Sequence, residues 1–178
     1  MKVNIDPVIF EVGPIRVGWY GLMYVLGFLT SYLLVRYQMK KKEINLSRPE
    51  VENLYFYLIL GLMIGARLGY VFFYDLKAYL ANPFEIVAIW HGGMSFHGGL
   101  IGVLLVGVLF SWKNGKSFWK LADLVIVTAP IGLALGRIGN FINGELYGRV
   151  TQVPWAMIFP SDKDLLPRHP SQLYESGL

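Results

Sequence analysis

A thirteen-residue stretch from Gly136 to Gly148 places polar groups at the end of a long apolar run. It contains Arg137, Asn140, Asn143 and Glu145. An arginine at the centre of a membrane-spanning helix costs about 2.5–3.5 kcal/mol. The cost falls near the membrane surface, where a long side chain can extend to the polar region. These residues therefore indicate either a functional site or a helix end that tolerates them.

The residue types in this stretch suit an anionic ligand. A guanidinium such as that of Arg137 can donate paired hydrogen bonds to a phosphate. Glu145 is expected to hold Arg137 or to orient a histidine, and the alternative is a plain ion pair with Arg137 or Arg149. The amides of Asn140 and Asn143 are suited to fix a glycerol headgroup, and the alternative is that they cap the end of a helix.

Further polar residues lie near the ends of the other apolar segments. Tyr20 begins the first segment, where an interfacial aromatic residue is the alternative interpretation. Arg67 is either a structural, ion-paired arginine or a residue that faces a polar cavity and helps to hold an anion. His97 can exchange a proton near neutral pH. Gly98 and Gly99 beside it permit either close approach of a ligand or tight helix packing.

Composition indicates a membrane protein. The chain has 178 residues, of which 54% are hydrophobic and 16% are charged, against roughly 45–50% and about 25% in soluble domains. The net charge of +4 does not indicate a nucleic-acid partner, because the basic residues lie between apolar segments and form no stripe. The absence of cysteine excludes disulfides and a cysteine nucleophile. No spacing of ligands or glycines indicates a metal or a cofactor.

The hydrophobic pattern predicts an all-α, polytopic membrane protein that forms one domain over residues 1–178. Four candidate spans cover about residues 19–39, 51–74, 97–112 and 118–141, and a further helix begins in 170–178. Pro130 is expected to kink the fourth span. The segments expected outside the membrane are 1–18, 75–96 and 142–169. The first of these segments is expected to be partly extended, with Pro7 and Pro14 as breakers, and the third is expected to form a small extracytoplasmic cap.

Basic residues predict the orientation of the chain in the membrane. They are Arg36, Lys40, Lys41 and Lys42 after the first span, and Lys113, Lys116 and Lys120 after the third. The positive-inside tendency places both loops in the cytoplasm and the N-terminus outside. The polar residues of all four spans then gather at the outer leaflet, which predicts a site for an anionic lipid there. Without any catalysis, such a site would belong to an outward-facing lipid-binding or transport protein.

Eight positions of the 136–148 stretch also match the signature of a known family. The pattern Gly136-Arg137-x-Gly139-Asn140-Phe141-x-Asn143-x-Glu145-x-x-Gly148 resembles that of the bacterial prolipoprotein diacylglyceryl transferases. Three further blocks resemble the same family: Trp19-Tyr20-Gly21, the glycine-rich stretch Gly92 to Gly99, and His169 to Glu175. The resemblance therefore extends through the whole chain.

This resemblance implies a multi-pass enzyme of the bacterial inner membrane that performs the first step of lipoprotein maturation. Such enzymes transfer the diacylglyceryl group of phosphatidylglycerol to the lipobox cysteine thiol beside the signal peptide of a preprolipoprotein. A thioether forms and glycerol phosphate leaves. The implied partners are phosphatidylglycerol, the preprolipoprotein and membrane lipid. No cofactor is implied.

The motif assigns candidate roles to individual residues. His97 is the candidate base for the substrate thiol, and Arg137 is the candidate phosphate clamp. The candidate catalytic residues are His97, Arg137, Glu145 and Tyr20. The candidate substrate-binding residues are Arg137, Asn140, Asn143, Gly148, Arg67 and Gly98.

Family members continue beyond the His169–Glu175 block with further membrane helices and another essential arginine. We therefore expect the 178 residues to represent a fragment, and the activity of this chain alone stays an open question.

Overall fold

The computed structural model describes residues 1–13, 15–42 and 46–178, and most of them are helical. The α-helices of this part of the chain are α1 (Trp19–Lys42), α2 (Arg48–Tyr74), α3 (Leu76–Ala81), α4 (Phe96–Lys113), α5 (Phe118–Ile126), α6 (Ala129–Asn143) and α7 (Ser171–Ser176). Short 3-10 helices at Pro83–Ile86 and Ile89–His91 lie between α3 and α4. The predicted breaker Pro14, and residues 43–45 of the predicted basic loop, lie outside the described residues.

The chain divides into two compact units. The first unit comprises Met1–Tyr37 and Val125–Leu178, and the second comprises Gln38–Leu124. Tyr20 and the whole 136–148 stretch belong to the first unit. Arg67, His97 and Gly98 belong to the second.

Two helices in the described part of the chain, α2 and α4, are long and apolar enough to cross a membrane. The number rises to three if the consecutive helices α5 and α6 form one bent span. The predicted helical fold class is thus confirmed for a protein with two to three candidate spans. The set of four spans stays a prediction.

The predicted fourth helix is interrupted between α5 and α6. The Thr128 hydroxyl donates to the Val125 carbonyl (2.6 Å) and lies 2.5 Å from the Ser31 hydroxyl. Pro130 then occupies the first turn of α6, where a missing N–H leaves no helical hydrogen bond unmade. The break agrees with the kink expected at Pro130, since a proline inside a continuous helix would clash with the preceding turn.

A two-stranded hairpin precedes α1, and the all-α prediction did not include it. β1 (Val8–Val12) pairs antiparallel with β2 (Ile15–Gly18). β-branched residues along β1 favour the extended conformation, and Gly13 takes a positive φ of 59° at the turn. The Trp19 N–H donates to the Pro7 carbonyl (3.0 Å). The hairpin therefore fixes where α1 begins.

The segment between α6 and α7 packs as a compact loop region with its own small core. Phe159 is fully buried, and its ring stacks on Tyr147 with 5.1 Å between the ring centroids. The N-terminal residues extend this region, because the Val3 N–H donates to the Ile158 carbonyl (3.0 Å). The loop region is therefore ordered without a long helix or a sheet.

The second unit is built on a close antiparallel pairing of α2 and α4. Gly61, Gly65 and Gly69 recur every fourth residue on α2 and face Gly98 and Gly102 of α4. A Cβ atom added to Gly98 would lie 2.8 Å from the Gly69 Cα and would also clash with the Gly65 carbonyl. Small residues at this spacing let two helix backbones approach closely, as is common in membrane proteins.

Candidate functional site

The C-terminal end of α6 brings three of the predicted site residues together. The helix ends at Asn143 and is capped by Gly144, which takes the left-handed conformation (φ 68°). The Glu145 carboxylate then accepts hydrogen bonds from the Asn140 amide (2.9 Å) and the Asn143 amide (3.4 Å). The helix is capped by glycine, so these asparagine side chains do not cap it. Their amides orient a carboxylate that is itself exposed.

Tyr20 lies beside this cluster. Its hydroxyl is 3.2 Å from the Tyr24 hydroxyl. It also interacts with the Asn140 side chain and lies within reach of the Glu145 charge. A Cβ atom on Gly139 would come within 2.8 Å of the Tyr20 ring. The signature glycine at 139 therefore makes room for the tyrosine.

Arg137 has a different partner from the one predicted. Its Nη2 lies 2.7 Å from the Glu175 Oε2, and the Arg137 side chain is 35% exposed. Among the described residues, no other carboxylate lies within ion-pair distance of Arg137, and Glu145 pairs with neither Arg137 nor Arg149. The expected pairing of Glu145 with an arginine is therefore not found. The orientation of His97 by Glu145 stays a prediction.

Gly148 allows the start of α7 to approach the signature stretch. The Gly148 N–H donates to the His169 carbonyl (2.9 Å), and a Cβ atom at Gly148 would lie 3.0 Å from the His169 Cβ. The fully buried Gln172 donates its amide to the Glu145 carbonyl (2.7 Å). The α7 segment thus holds the backbone on which the Glu145 side chain is displayed.

An ion pair between Arg168 and the buried Asp162 stabilises the loop region next to this cluster. The Arg168 Nε lies 2.5 Å from the Asp162 Oδ2, and the Arg168 Nη2 lies 3.0 Å from the Asp162 Oδ1. The guanidinium also lies 5.0 Å from the centroid of the Tyr147 ring. The hydrogen bonds from Arg168 hold the pKa of the Asp162 carboxyl below its ordinary value. The same pairing raises the pKa of Arg168.

In the second unit, Arg67 is enclosed by backbone carbonyl oxygens. The residue is 4% exposed. The guanidinium donates to the carbonyls of Glu85, Ile86, Ala88, Gly92 and Gly93. A guanidinium has five N–H groups, so each of these five contacts can use one of them. This geometry favours the structural alternative for Arg67, because no donor is left for an anion.

His97 and Gly98 occupy the first turn of α4. The Ser95 hydroxyl accepts from the Gly98 N–H (3.2 Å) and caps the helix. Gly98 packs against α2, which favours the packing interpretation of this glycine. The His97 side chain is exposed, and it makes no side-chain hydrogen bond within the described residues. Its imidazole is therefore available to a substrate proton.

The structure thus unites Tyr20, Asn140, Asn143 and Glu145, with Arg137 one helical turn before Asn140. Sequence reasoning missed Glu175 and Gln172 as neighbours of this cluster. A signal was present, since both belong to the recognised block that begins at His169, but their contacts depend on the fold of the intervening loop. In the part of the chain that the structure describes, no three metal-ligating side chains converge.

Comparison with known proteins identifies the family. A family model described as prolipoprotein diacylglyceryl transferase matches residues 7–178. Three curated relatives carry the name phosphatidylglycerol–prolipoprotein diacylglyceryl transferase. The relative from Bordetella avium (strain 197N) is 55% identical over 97% of this chain and 66% of its own length. The relative from Legionella pneumophila (strain Paris) is 51% identical over 98% of this chain and 68% of its own length. The relative from Pseudomonas putida (strain F1) is 54% identical over 98% of this chain and 66% of its own length.

The chain spans about two thirds of the length of these curated relatives. Its match to the family model covers nearly all of its own length. The resemblance that the signature residues indicate is therefore confirmed, and the chain belongs to the prolipoprotein diacylglyceryl transferase family.

Proposed function

We propose that this chain takes part in transferring the diacylglyceryl group of phosphatidylglycerol to the lipobox cysteine of preprolipoproteins. The names of the curated relatives support the two substrates. The observation that carries the proposal is the partly exposed guanidinium of Arg137, with a single carboxylate partner among the described residues, one turn from the Asn140–Glu145 cluster. A partly exposed guanidinium with one partner can donate hydrogen bonds to a phosphate.

The transfer makes one bond and breaks one. The cysteine sulfur attacks the glycerol carbon that bears the phosphate, and a carbon–sulfur bond forms. The carbon–oxygen bond to the phosphate breaks, and glycerol phosphate leaves with the electron pair. Negative charge grows on the departing phosphate, so a cation beside it stabilises the transition state more than the ground state. We assign this role to Arg137.

The thiol must lose its proton to become a strong nucleophile. We assign the acceptance of this proton to His97, whose exposed imidazole lies at the start of α4. Glu145, held by Asn140 and Asn143, offers a fixed acceptor for hydroxyl groups of the glycerol headgroup. Tyr20 contributes a hydroxyl to the same cluster.

The proposed setting is the bacterial inner membrane. Four spans, formed by α1, α2, α4 and the α5–α6 pair, would carry the chain across the bilayer. The basic loops would lie in the cytoplasm, and the N-terminus and the loop region before α7 would lie outside. The site would then face the outer leaflet, where a signal peptide emerges with its cysteine.

A direct test uses the purified chain in liposomes that contain labelled phosphatidylglycerol and a lipobox peptide. The expected result is a gain of one diacylglyceryl mass on the peptide cysteine, and no gain on a peptide in which serine replaces that cysteine. The assay is repeated on the chain extended by the remaining helices of a family member. Failure of both folded proteins to modify the peptide would contradict the proposal and favour lipid binding or transport.

The proton-accepting role of His97 is tested separately. His97→Gln should lower the transfer rate and change the pH–rate profile, because the variant lacks the side chain that takes up the thiol proton. An unchanged pH–rate profile in His97→Gln would remove the assignment and leave the rest of the proposal standing.

A further inference from the structure

The ion pair between Arg137 and Glu175 links α6 to α7. Glu175 lies in the last turn of α7, and its Oε2 is 2.7 Å from the Arg137 Nη2. Both side chains are partly exposed, at 35% and 43%. The ion pair engages one terminal nitrogen, Nη2, of a guanidinium that carries five N–H groups. The remaining N–H groups have no hydrogen-bond partner within the described residues.

The helix that carries Glu175 is itself fixed to the signature stretch. Gln172 is fully buried, and its amide donates to the Glu145 carbonyl (2.7 Å). The Gly148 N–H donates to the His169 carbonyl (2.9 Å) just before α7. The position of the Glu175 carboxylate is therefore set by the same backbone that displays the Asn140–Glu145 cluster. A carboxylate on a fixed helix can orient a flexible arginine.

We propose that Glu175 is a positioning residue for Arg137. Its carboxylate holds the Arg137 guanidinium in the orientation that receives the lipid phosphate, and it competes with that phosphate for the guanidinium. This inference rests on the proposed function. The carboxylate restricts the rotamers of the arginine side chain, which otherwise loses conformational entropy when it binds a ligand. The same negative charge repels a phosphate that arrives at the free N–H groups. Glu175 thus favours the geometry of transfer and opposes ground-state binding.

The proposal predicts opposite changes in two kinetic constants. Glu175→Gln removes the charge but keeps the shape of the side chain. Phosphatidylglycerol should then bind about three- to fivefold more tightly, which is the range of a partly exposed ion pair. The value of kcat should fall about tenfold, because Arg137 is no longer held in the productive orientation. A merely structural role would not tighten lipid binding.

Two further variants separate charge from contact. Glu175→Asp keeps the charge but shortens the side chain by one methylene group, so the 2.7 Å contact is lost. It should bind phosphatidylglycerol like the parent chain and should still lose kcat. Glu11→Gln is the matched control, because it breaks the exposed pair between Arg16 and Glu11 (2.9 Å) in the hairpin of the same unit. It should change neither constant.

The experiment measures the dissociation constant of phosphatidylglycerol in nanodiscs of a zwitterionic lipid, together with kcat and KM for peptide modification. Unfolding temperatures show that each variant is folded. Tighter binding in Glu175→Gln with lower kcat supports the inference. Unchanged or weaker binding in the folded Glu175→Gln variant overturns it, as does a parent chain that does not bind phosphatidylglycerol. If the parent chain binds the lipid but neither it nor its version extended by the remaining helices modifies the peptide, the proposed function is contradicted, while the binding measurements still decide whether Glu175 competes for Arg137.

Discussion

Arg67 and Arg137 stand in similar glycine-containing stretches near the C-terminal ends of α2 and α6, yet their surroundings differ. Arg67 is 4% exposed, and its guanidinium donates to five backbone carbonyls of one loop. Arg137 is 35% exposed and pairs with one carboxylate. The arginine in the second unit is therefore buried with its donors used, whereas the arginine in the first unit is partly exposed with one partner.

The contrast shows that the use of the N–H donors distinguishes a structural arginine from a ligand-binding one. A buried guanidinium with every donor used cannot receive a phosphate unless it gives up the loop that it holds. An exposed guanidinium with unused donors can bind a phosphate at little structural cost. The difference predicts that substitution of Arg67 mainly changes stability, whereas substitution of Arg137 mainly changes lipid transfer.

The largest expected effect is the loss of stability in Arg67→Gln. Five backbone carbonyl oxygens would lose their donors, one in a buried contact and four in part-buried contacts, and a buried unsatisfied group costs about 1–3 kcal/mol. We expect the free energy of unfolding in detergent to fall by at least about 3 kcal/mol. Arg67→Lys should have a smaller effect, since an ammonium has three donors. A folded Arg67→Gln variant that is as stable as the parent would contradict the structural role of Arg67.

The next largest expected effect is the loss of stability when alanine replaces a closely packed glycine. Gly98→Ala places a Cβ atom 2.8 Å from the Gly69 Cα, and overpacking of this kind costs about 1–3 kcal/mol. Gly136→Ala is the matched control, because the added atom meets no described atom within 4 Å outside its chain neighbours and the backbone of its own helix turn. It should leave stability unchanged or raise it by up to about 1 kcal/mol. Equal unfolding temperatures for both variants would contradict the close packing of α2 and α4.

A third arginine, Arg168, sharpens the comparison through its pH dependence. The folded pKa of Asp162 is lowered by its hydrogen bonds with Arg168, so the stabilisation is present above the unfolded pKa and is lost as pH falls through the folded pKa. Backbone hydrogen exchange, corrected for the intrinsic rate, should show that residues 146–170 lose protection below about pH 4.

Two substitutions test this assignment at neutral pH. Asp162→Asn should reduce the protection of residues 146–170 at pH 7. Asp164→Asn is the control, because the Asp164 side chain is 68% exposed and lies 3.5 Å from the Arg168 Nη2. Equal protection in the two variants would show that the Asp162–Arg168 pair does not hold the loop region.

The smallest expected change is in the stability of Arg137→Gln. A single, partly exposed ion pair contributes about 0–1 kcal/mol. The free energy of unfolding should therefore change by less than about 1 kcal/mol. A loss as large as that of Arg67→Gln would show that Arg137 is also structural and would remove the distinction between the two arginines.

Much of the helical framework and the identity of the polar cluster could be predicted from the sequence. Apolar runs bounded by basic residues and prolines indicate helices, and the signature residues Asn140, Asn143 and Glu145 do meet at the end of α6. The hairpin at residues 8–18 was not predicted, because two short strands leave a weak pattern beside two prolines. The sequence leaves the role of Arg67 open, because its acceptors are carbonyl oxygens, which no residue type reveals.

The partner of Arg137 was not predictable for a related reason. Glu175 lies 38 residues further along the chain, and its approach depends on the fold of the loop region between α6 and α7. The nearer Glu145 was the natural candidate, but the turn at Gly144 directs its carboxylate to two amides. Local sequence thus predicts which residues form the cluster, whereas the long-range fold decides which of them pair.

The central claim is that Arg137 serves the lipid phosphate and not the fold. The most direct measurement is the rate of diacylglyceryl transfer to a lipobox peptide by Arg137→Gln, relative to the parent protein that is active in the same assay. Loss of one donor to a developing anion typically lowers a rate by about 10²–10³. We predict a decrease of that size in a variant whose unfolding temperature matches the parent. A folded Arg137→Gln variant that transfers lipid at the parent rate would contradict the account.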